Sequence, residues 1–187
     1  MLRAFFLCYR IKFEQLLFFM MKGLYLMFSP TIKHLLEEKS GSFIIPASRI
    51  AFVEDDNPLY HAFMILTRVK YSKIPVLDRQ SRVVGLLSLA MITDKMMETD
   101  SISLEPLNKL QVRDVMQTKF DKINFVQTTL ETQLHLLVNN AFLPVVDDYG
   151  VFQGLLTRRE WIKAFNYIAH NFESKYQVTP INKSKQL

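Results

Sequence analysis

Cysteine is almost absent from this chain of 187 residues: Cys8 is the single one. That excludes an intrachain disulfide framework and fits a reducing compartment such as the cytosol. Glycine is scarce as well. Gly23, Gly41, Gly85, Gly150 and Gly154 are each isolated, so no glycine-rich phosphate loop is present. The four histidines, His34, His61, His135 and His170, show no metal-ligand spacing. Ser, Cys and His do not form a nucleophile–base constellation, and neither an enzyme nor a cofactor is expected. Long apolar runs are also missing. Met1–Phe28 is rich in Phe, Leu and Met, but Arg3, Arg10, Lys12, Glu14 and Lys22 interrupt it. No run approaches the roughly 18 apolar residues a spanning helix needs, and no small-residue cleavage site follows.

Two readings of that amino-terminal segment stand: an amphipathic, basic membrane-surface stretch, or translation that starts further on, at Met21 or Met27. The second is preferred, because the repeat described below begins only after Met27, and a membrane role is not expected. The net charge of +5 invites a nucleic-acid reading, but its distribution opposes one. Residues 1–28 carry four basic residues and one acid, residues 171–187 carry three and one, and residues 29–170 hold 16 of each sign. A groove-binding domain concentrates its excess charge on the folded unit, so no nucleic-acid partner is expected.

What the chain does have is a repeat. Lys73-Ile-Pro-Val-Leu-Asp78, followed by Val84-Gly-Leu-Leu-Ser88, returns as Phe142-Leu-Pro-Val-Val-Asp147, followed by Gln153-Gly-Leu-Leu-Thr157. Pro75 and Pro144, and Gly85 and Gly154, recur at an offset of 69 residues. Such a repeat defines an architecture before any chemistry is considered. Each copy reads as strand, helix, strand, strand, helix. In the first, Ile50–Val53 is a strand, and Asn57-Pro58 is an N-cap with proline at the first helical position. Leu59, Ala62, Phe63 and Leu66 form one buried helical face. Lys73–Asp78 and Val83–Leu87 are paired strands, and Ser88 caps a helix bearing Met91, Ile92 and Met96. In the second, Ile123–Val126 is a strand and Thr128-x-x-Glu131 is a capping box. Leu130, Leu134 and Leu137 form the apolar face, and the strand pair turns at Asp147-Asp-Tyr-Gly150. Thr157-x-x-Glu160 caps a helix lined by Trp161, Ala164, Phe165 and Ile168. A copy of about 60 residues buries little apolar surface by itself, so two packed face to face would share one core.

The β-α-β-β-α pattern, with h-P-V-h-D and then G-h-h-S/T (h, apolar), resembles the CBS domain, and a tandem pair resembles a Bateman module. The resemblance covers roughly residues 40–170 and implies an α/β (α+β) fold of two pseudo-two-fold repeats. The organisation expected is an extension over 1–28, a first repeat with a leading helix (Pro30–Leu36) over 29–106, a second repeat over 107–170, and a mobile tail over 171–187. Within the family, three segments are similar to small stand-alone two-CBS proteins of Firmicutes that bind cyclic di-AMP: Phe43–Val53, Tyr71-Ser-Lys-Ile-Pro75 and Phe152-Gln-Gly-Leu-Leu-Thr-Arg-Arg159.

The residues themselves point to one turn. Thr157, Arg158 and Arg159 start a helix, where the unpaired N–H groups and the macrodipole disfavour cations. An anion would reverse that cost, since helix amino termini favour phosphate and arginine adds a bidentate fork; neutralisation by Glu160 and solvent is the plainer alternative. The equivalent turn, Ser88-Leu-Ala-Met91, has no basic residue, so one cleft per chain is expected to be used. The resemblance supplies the rest of that site: Arg49 and Ala51 on the strand whose backbone reads the adenine edge, Val53 and Ile74 as apolar surface for the base, and Ser72 and Lys73 as the polar rim. Val53 and Ile74 are equally readable as core, and Lys73 as a solvated strand-start lysine. By the same resemblance the chain is expected to be a cytoplasmic homodimer that senses cyclic di-AMP and signals to a protein partner such as a metabolic or stringent-response enzyme. A sensor of AMP or ATP, and a ligand-free interaction scaffold, are the alternatives.

Overall fold

The computed structural model describes residues 28–39, 43–69, 71–98 and 100–179, so the expectations for residues 1–27 and 180–187 lie outside it. The chain divides into two units, Ser42–Glu160 and a smaller one formed by the flanking segments.

The larger unit holds both repeats up to the first residues of the last helix. Strand β1 is Ile44–Pro46, followed by a 3-10 turn at Ala47–Arg49 and strand β2, Val53–Glu54. Helix α2 is Leu59–Val69, strands β3 and β4 are Ile74–Leu77 and Val83–Leu87, and helix α3 is Leu89–Met96. (Helix α1, Pro30–Lys39, belongs to the smaller unit.) A short helix α4, Glu105–Lys109, leads to the second repeat: β5, Ile123–Asn124; α5, Leu130–Asn139; β6, Phe142–Val146; β7, Phe152–Thr157; and α6, beginning at Arg158 and ending at Lys175. In each repeat the short first strand runs parallel to the second, and the second and third form an antiparallel hairpin.

The element order matches the sequence reading, with local differences. The first strand of each repeat is two residues long and later than Ile50–Val53 in the first copy. In the second it stops at Asn124, and Val126 is 93% exposed. Asn57 does not cap α2: its Oδ1 accepts from the backbone N–H of Glu54 at 3.1 Å and closes the preceding turn. The cap of α5 is Thr129, whose Oγ1 accepts from Thr132 N–H at 3.2 Å, not Thr128. Either threonine satisfies an orphan N–H in sequence terms, and the backbone path selects one.

The first repeat's core joins Val53, Leu59, Ala62, Leu66, Ile74, Val76, Leu87, Ile92 and Met96. Leu107 and Val112 belong to the same cluster although they follow residue 106. A fully buried leucine or valine contributes about 1.5–3 kcal/mol, which ties this connecting segment to the first repeat. Leu77, Val83, Val146 and Phe152 make a second cluster drawn from both hairpins. There the turns exchange backbone bonds, Val83 N–H to Gly150 C=O at 3.3 Å and Phe152 N–H to Ser81 C=O at 2.9 Å.

The two repeated glycines sit where the copies cross. Strand β1 pairs with β7 of the second repeat, placing Pro46 opposite Gly154. A Cβ at Gly154 would collide with the carbonyl oxygen of Ile45 and lie 2.8 Å from Ile44 Cγ2. In mirror fashion, Gln117, ahead of β5, bridges Leu86 on β4. A Cβ at Gly85 would lie 2.5 Å from Met116 Sδ. The lead-in of each copy therefore lies on the last strand of the other, with backbone filling the space beside Gly154 and chiefly the Met116 side chain the space beside Gly85.

In the smaller unit, helix α1 is Pro30–Lys39, with Leu35 and Leu36 buried. Phe28 stacks on Trp161 at 6.3 Å and meets Phe165 at 5.8 Å. Helix α6 continues to Lys175, into the segment expected as tail, and Lys175 Nζ donates to Glu38 Oε2 at 2.8 Å.

Candidate functional site

A cleft of about 140 Å³ opens between the start of β3 and the end of β7. The first repeat contributes Arg49, Ile50 and Ala51 from the segment before β2, and Tyr71, Ser72, Lys73, Ile74 and Pro75 at the entrance to β3. Phe142, Leu155 and Thr157 come from β6 and β7, and Ile45 from the crossing strand. Its walls are mostly apolar, it carries two cations, Arg49 and Lys73, and none of its lining residues is acidic. Such a cavity suits a ligand with a flat apolar part and negative charge.

Of the nine residues expected to bind ligand, Arg49, Ala51, Ser72, Lys73, Ile74 and Thr157 are brought together here. Val53 is not among the lining residues. It is 2% exposed and belongs to the first repeat's core, because β2 starts there and turns that side chain inward. Ile74 serves both purposes: it is 1% exposed and still forms part of the cleft wall.

The two arginines diverge. Thr157 Oγ1 accepts from Glu160 N–H at 3.3 Å, so the threonine caps α6 as the sequence predicts. Arg158 turns away to the end of α5: Nε donates to Leu137 C=O at 2.9 Å, and an Nη donates to the carbonyls of Val138 and Asn140 at 3.1 and 3.2 Å. Its backbone N–H donates to Ala141 C=O at 3.0 Å. The guanidinium thus satisfies carbonyls that a helix carboxyl terminus leaves open, where positive charge is favoured. It is not a cleft residue, contrary to the expectation for the basic pair. Arg159, one position on, is exposed on the first turn of α6.

The sequence profile of the CBS domain family matches residues 43–98 and again 112–167. The chain belongs to the CBS family. Over 132 residues it is 35% identical to Cyclic di-AMP receptor B of Bacillus subtilis (strain 168), covering 71% of this chain and 89% of that one. Among solved structures, CbpB from Streptococcus agalactiae superposes with a TM-score of 0.72 at 27% identity, covering 82% of this chain and 96% of that one. The CbpB protein of Listeria monocytogenes in complex with c-di-AMP superposes with a TM-score of 0.65 at 41% identity, covering 71% and 98%.

The CBS pairing explains which cleft residues escaped the sequence reading. Tyr71 stands beside Ser72 in a segment singled out for its likeness, and its 55% exposure on the cleft rim comes from the bend before β3. Phe142 and Leu155 read as strand residues of the second repeat. They face the first repeat's segment only because the CBS copies pack together, which no local pattern encodes. Ile45 reaches the cleft through the strand crossing. Among the described residues, no three His, Cys, Asp or Glu side chains are placed to hold a metal ion, and no helix is long and apolar enough to cross a membrane.

Proposed function

We propose that this CBS pair is a cytosolic, non-enzymatic receptor for cyclic di-AMP that reports occupancy of the cleft to a protein partner. The observation that carries the reading is the cleft itself: apolar walls, two cations and no acid, assembled from both repeats beside the start of α6. The relatives whose names and complexes include cyclic di-AMP make that nucleotide the first to test. In this reading the segment from Arg49 to Ala51 offers backbone groups to the adenine edge, while Ile74 and Tyr71 supply apolar surface. Ser72, Lys73 and Thr157 take polar positions, and Arg159 meets phosphate at the amino terminus of α6, where dipole and arginine act together. The pair acts as a homodimer, the closed two-fold arrangement most common for soluble proteins. Signalling follows if the partner binds the ligand-free and liganded surfaces with different affinity.

Calorimetric titration of the full chain with cyclic di-AMP, AMP and ATP tests this. The expected outcome is preference for cyclic di-AMP with saturation at one per chain. Tighter binding of AMP or ATP would replace the assignment with a mononucleotide sensor. No binding, and no change in melting temperature with any of the three, would leave a ligand-free scaffold.

A further inference from the structure

Lys73 lines the cleft with its ammonium already held. Nζ donates to Oε1 of Gln117 at 2.8 Å, in a partly buried contact between residues far apart in the chain. Gln117 is fixed in turn. Its backbone N–H donates to Leu86 C=O at 2.9 Å, and its own C=O accepts from Leu86 N–H at 3.0 Å. Its side-chain Nε2 donates to Lys119 C=O. That bond orients the amide, because with Nε2 on a carbonyl the acceptor oxygen faces the lysine.

The choice of glutamine has a chemical consequence. A carboxamide accepts one ammonium N–H and leaves the positive charge in place, with two further N–H groups to donate. A carboxylate there would hold the ammonium as firmly and cancel its charge. We propose that Gln117 is a positioning residue for anion recognition, holding the Lys73 ammonium at the cleft while keeping it charged and two of its donors available to a phosphate. The inference rests on the nucleotide-binding function proposed above. The arrangement occurs once per chain, since the repeat places Phe142 where the first copy has Lys73.

Cyclic di-AMP titrations of the full chain and its variants test it. Gln117→Ala releases the ammonium and is expected to weaken binding about threefold to tenfold. Gln117→Glu keeps the ammonium in place but cancels its charge, so it is expected to weaken binding about tenfold or more and to make it less sensitive to salt. In a Lys73→Ala background, Gln117→Glu should add little. Wild-type affinity in Gln117→Glu, or effects of the two sites that simply multiply, would overturn the proposal. NMR of nitrogen-labelled lysine ammonium groups supplies a readout that needs no ligand: the Lys73 signal should be distinct in the wild type and move to the exposed-lysine position in Gln117→Ala. Absence of nucleotide binding by the wild type would overturn the functional reading, and the same spectra would still decide this one, since an unchanged Lys73 signal in Gln117→Ala refutes it.

Discussion

In the first repeat the hairpin turns at Asp78–Arg82, and in the second at Asp147–Val151. Asp78 Oδ1 accepts from the N–H groups of Gln80 and Arg82, both at 2.9 Å, and Asp147 Oδ1 accepts from Tyr149 and Val151 at the same distances. Even the left-handed position matches, filled by Ser81 at φ 59° in one copy and Gly150 at φ 81° in the other. Ser88 and Thr157 likewise both cap the following helix. The copies part company one residue later. Leu89 and Ala90 follow the first cap, Arg158 and Arg159 the second, and only the second turn brings charge. Backbone geometry is shared because the fold requires it twice, whereas the side chains that follow the two caps meet no such common demand. This contrast separates residues that build the repeat from residues that equip it.

The comparison is broken most severely at the repeated glycines. Gly154→Ala drives a Cβ into the backbone of the crossing strand, which has no way to yield short of leaving β7. A loss of about 3 kcal/mol is expected, the upper range for overpacking. Gly85→Ala meets chiefly the flexible end of Met116 and should cost about 1 kcal/mol. Urea unfolding of both variants measures the difference, and equal losses would show that the two crossings are equally rigid.

The arginine pair sharpens the contrast between building and equipping. Arg159→Ala is expected to lower cyclic di-AMP affinity at least tenfold, corresponding to about 1.5–3 kcal/mol for a charge-assisted bond, with little change in stability. Arg158→Ala should do the reverse, losing about 1–2 kcal/mol of stability as the carbonyls at the end of α5 lose their donor. Paired calorimetry and denaturation would expose a shared role if both variants lost affinity equally.

The smallest effect concerns the turns. Burial raises the Asp78 carboxyl, but the backbone N–H groups of Arg82 and Gln80 and the Arg82 guanidinium favour its charged form and leave its pKa below the ordinary value. A carboxyl depressed by folding stabilises the protein above its unfolded pKa of about 3.9 and loses that contribution as pH falls through the folded value. Asp78→Asn should therefore flatten the decline in urea midpoint below about pH 4. An unaltered decline would assign the acid sensitivity to other carboxyls.

The proline, glycine and aspartate of each copy were legible in the sequence because short strands, a tight turn and a crossing strand demand particular residues at fixed spacing. Ser88 and Thr157 were legible as caps for the same reason. Val53 was not separable from the cleft-lining residues, since an apolar residue on a short strand reads alike whether it faces core or cleft. The place Arg158 reaches was not legible, because its sequence neighbours describe the helix it starts, and not the helix end it bonds.

By itself the sequence determined the repeat, its element order, the CBS family and the absence of basic residues from the first helix turn, all set by local spacing and residue type. The tertiary structure alone decided which segments meet: that each lead-in lies on the last strand of the other copy, that Phe142 and Leu155 face Lys73 and Ile74 across the cleft, and that Gln117 reaches Lys73 from 44 residues away. The reason is physical. Spacing along a chain governs contacts within a helix or hairpin, but contacts between copies depend on how two buried faces dock, and no window of sequence contains both.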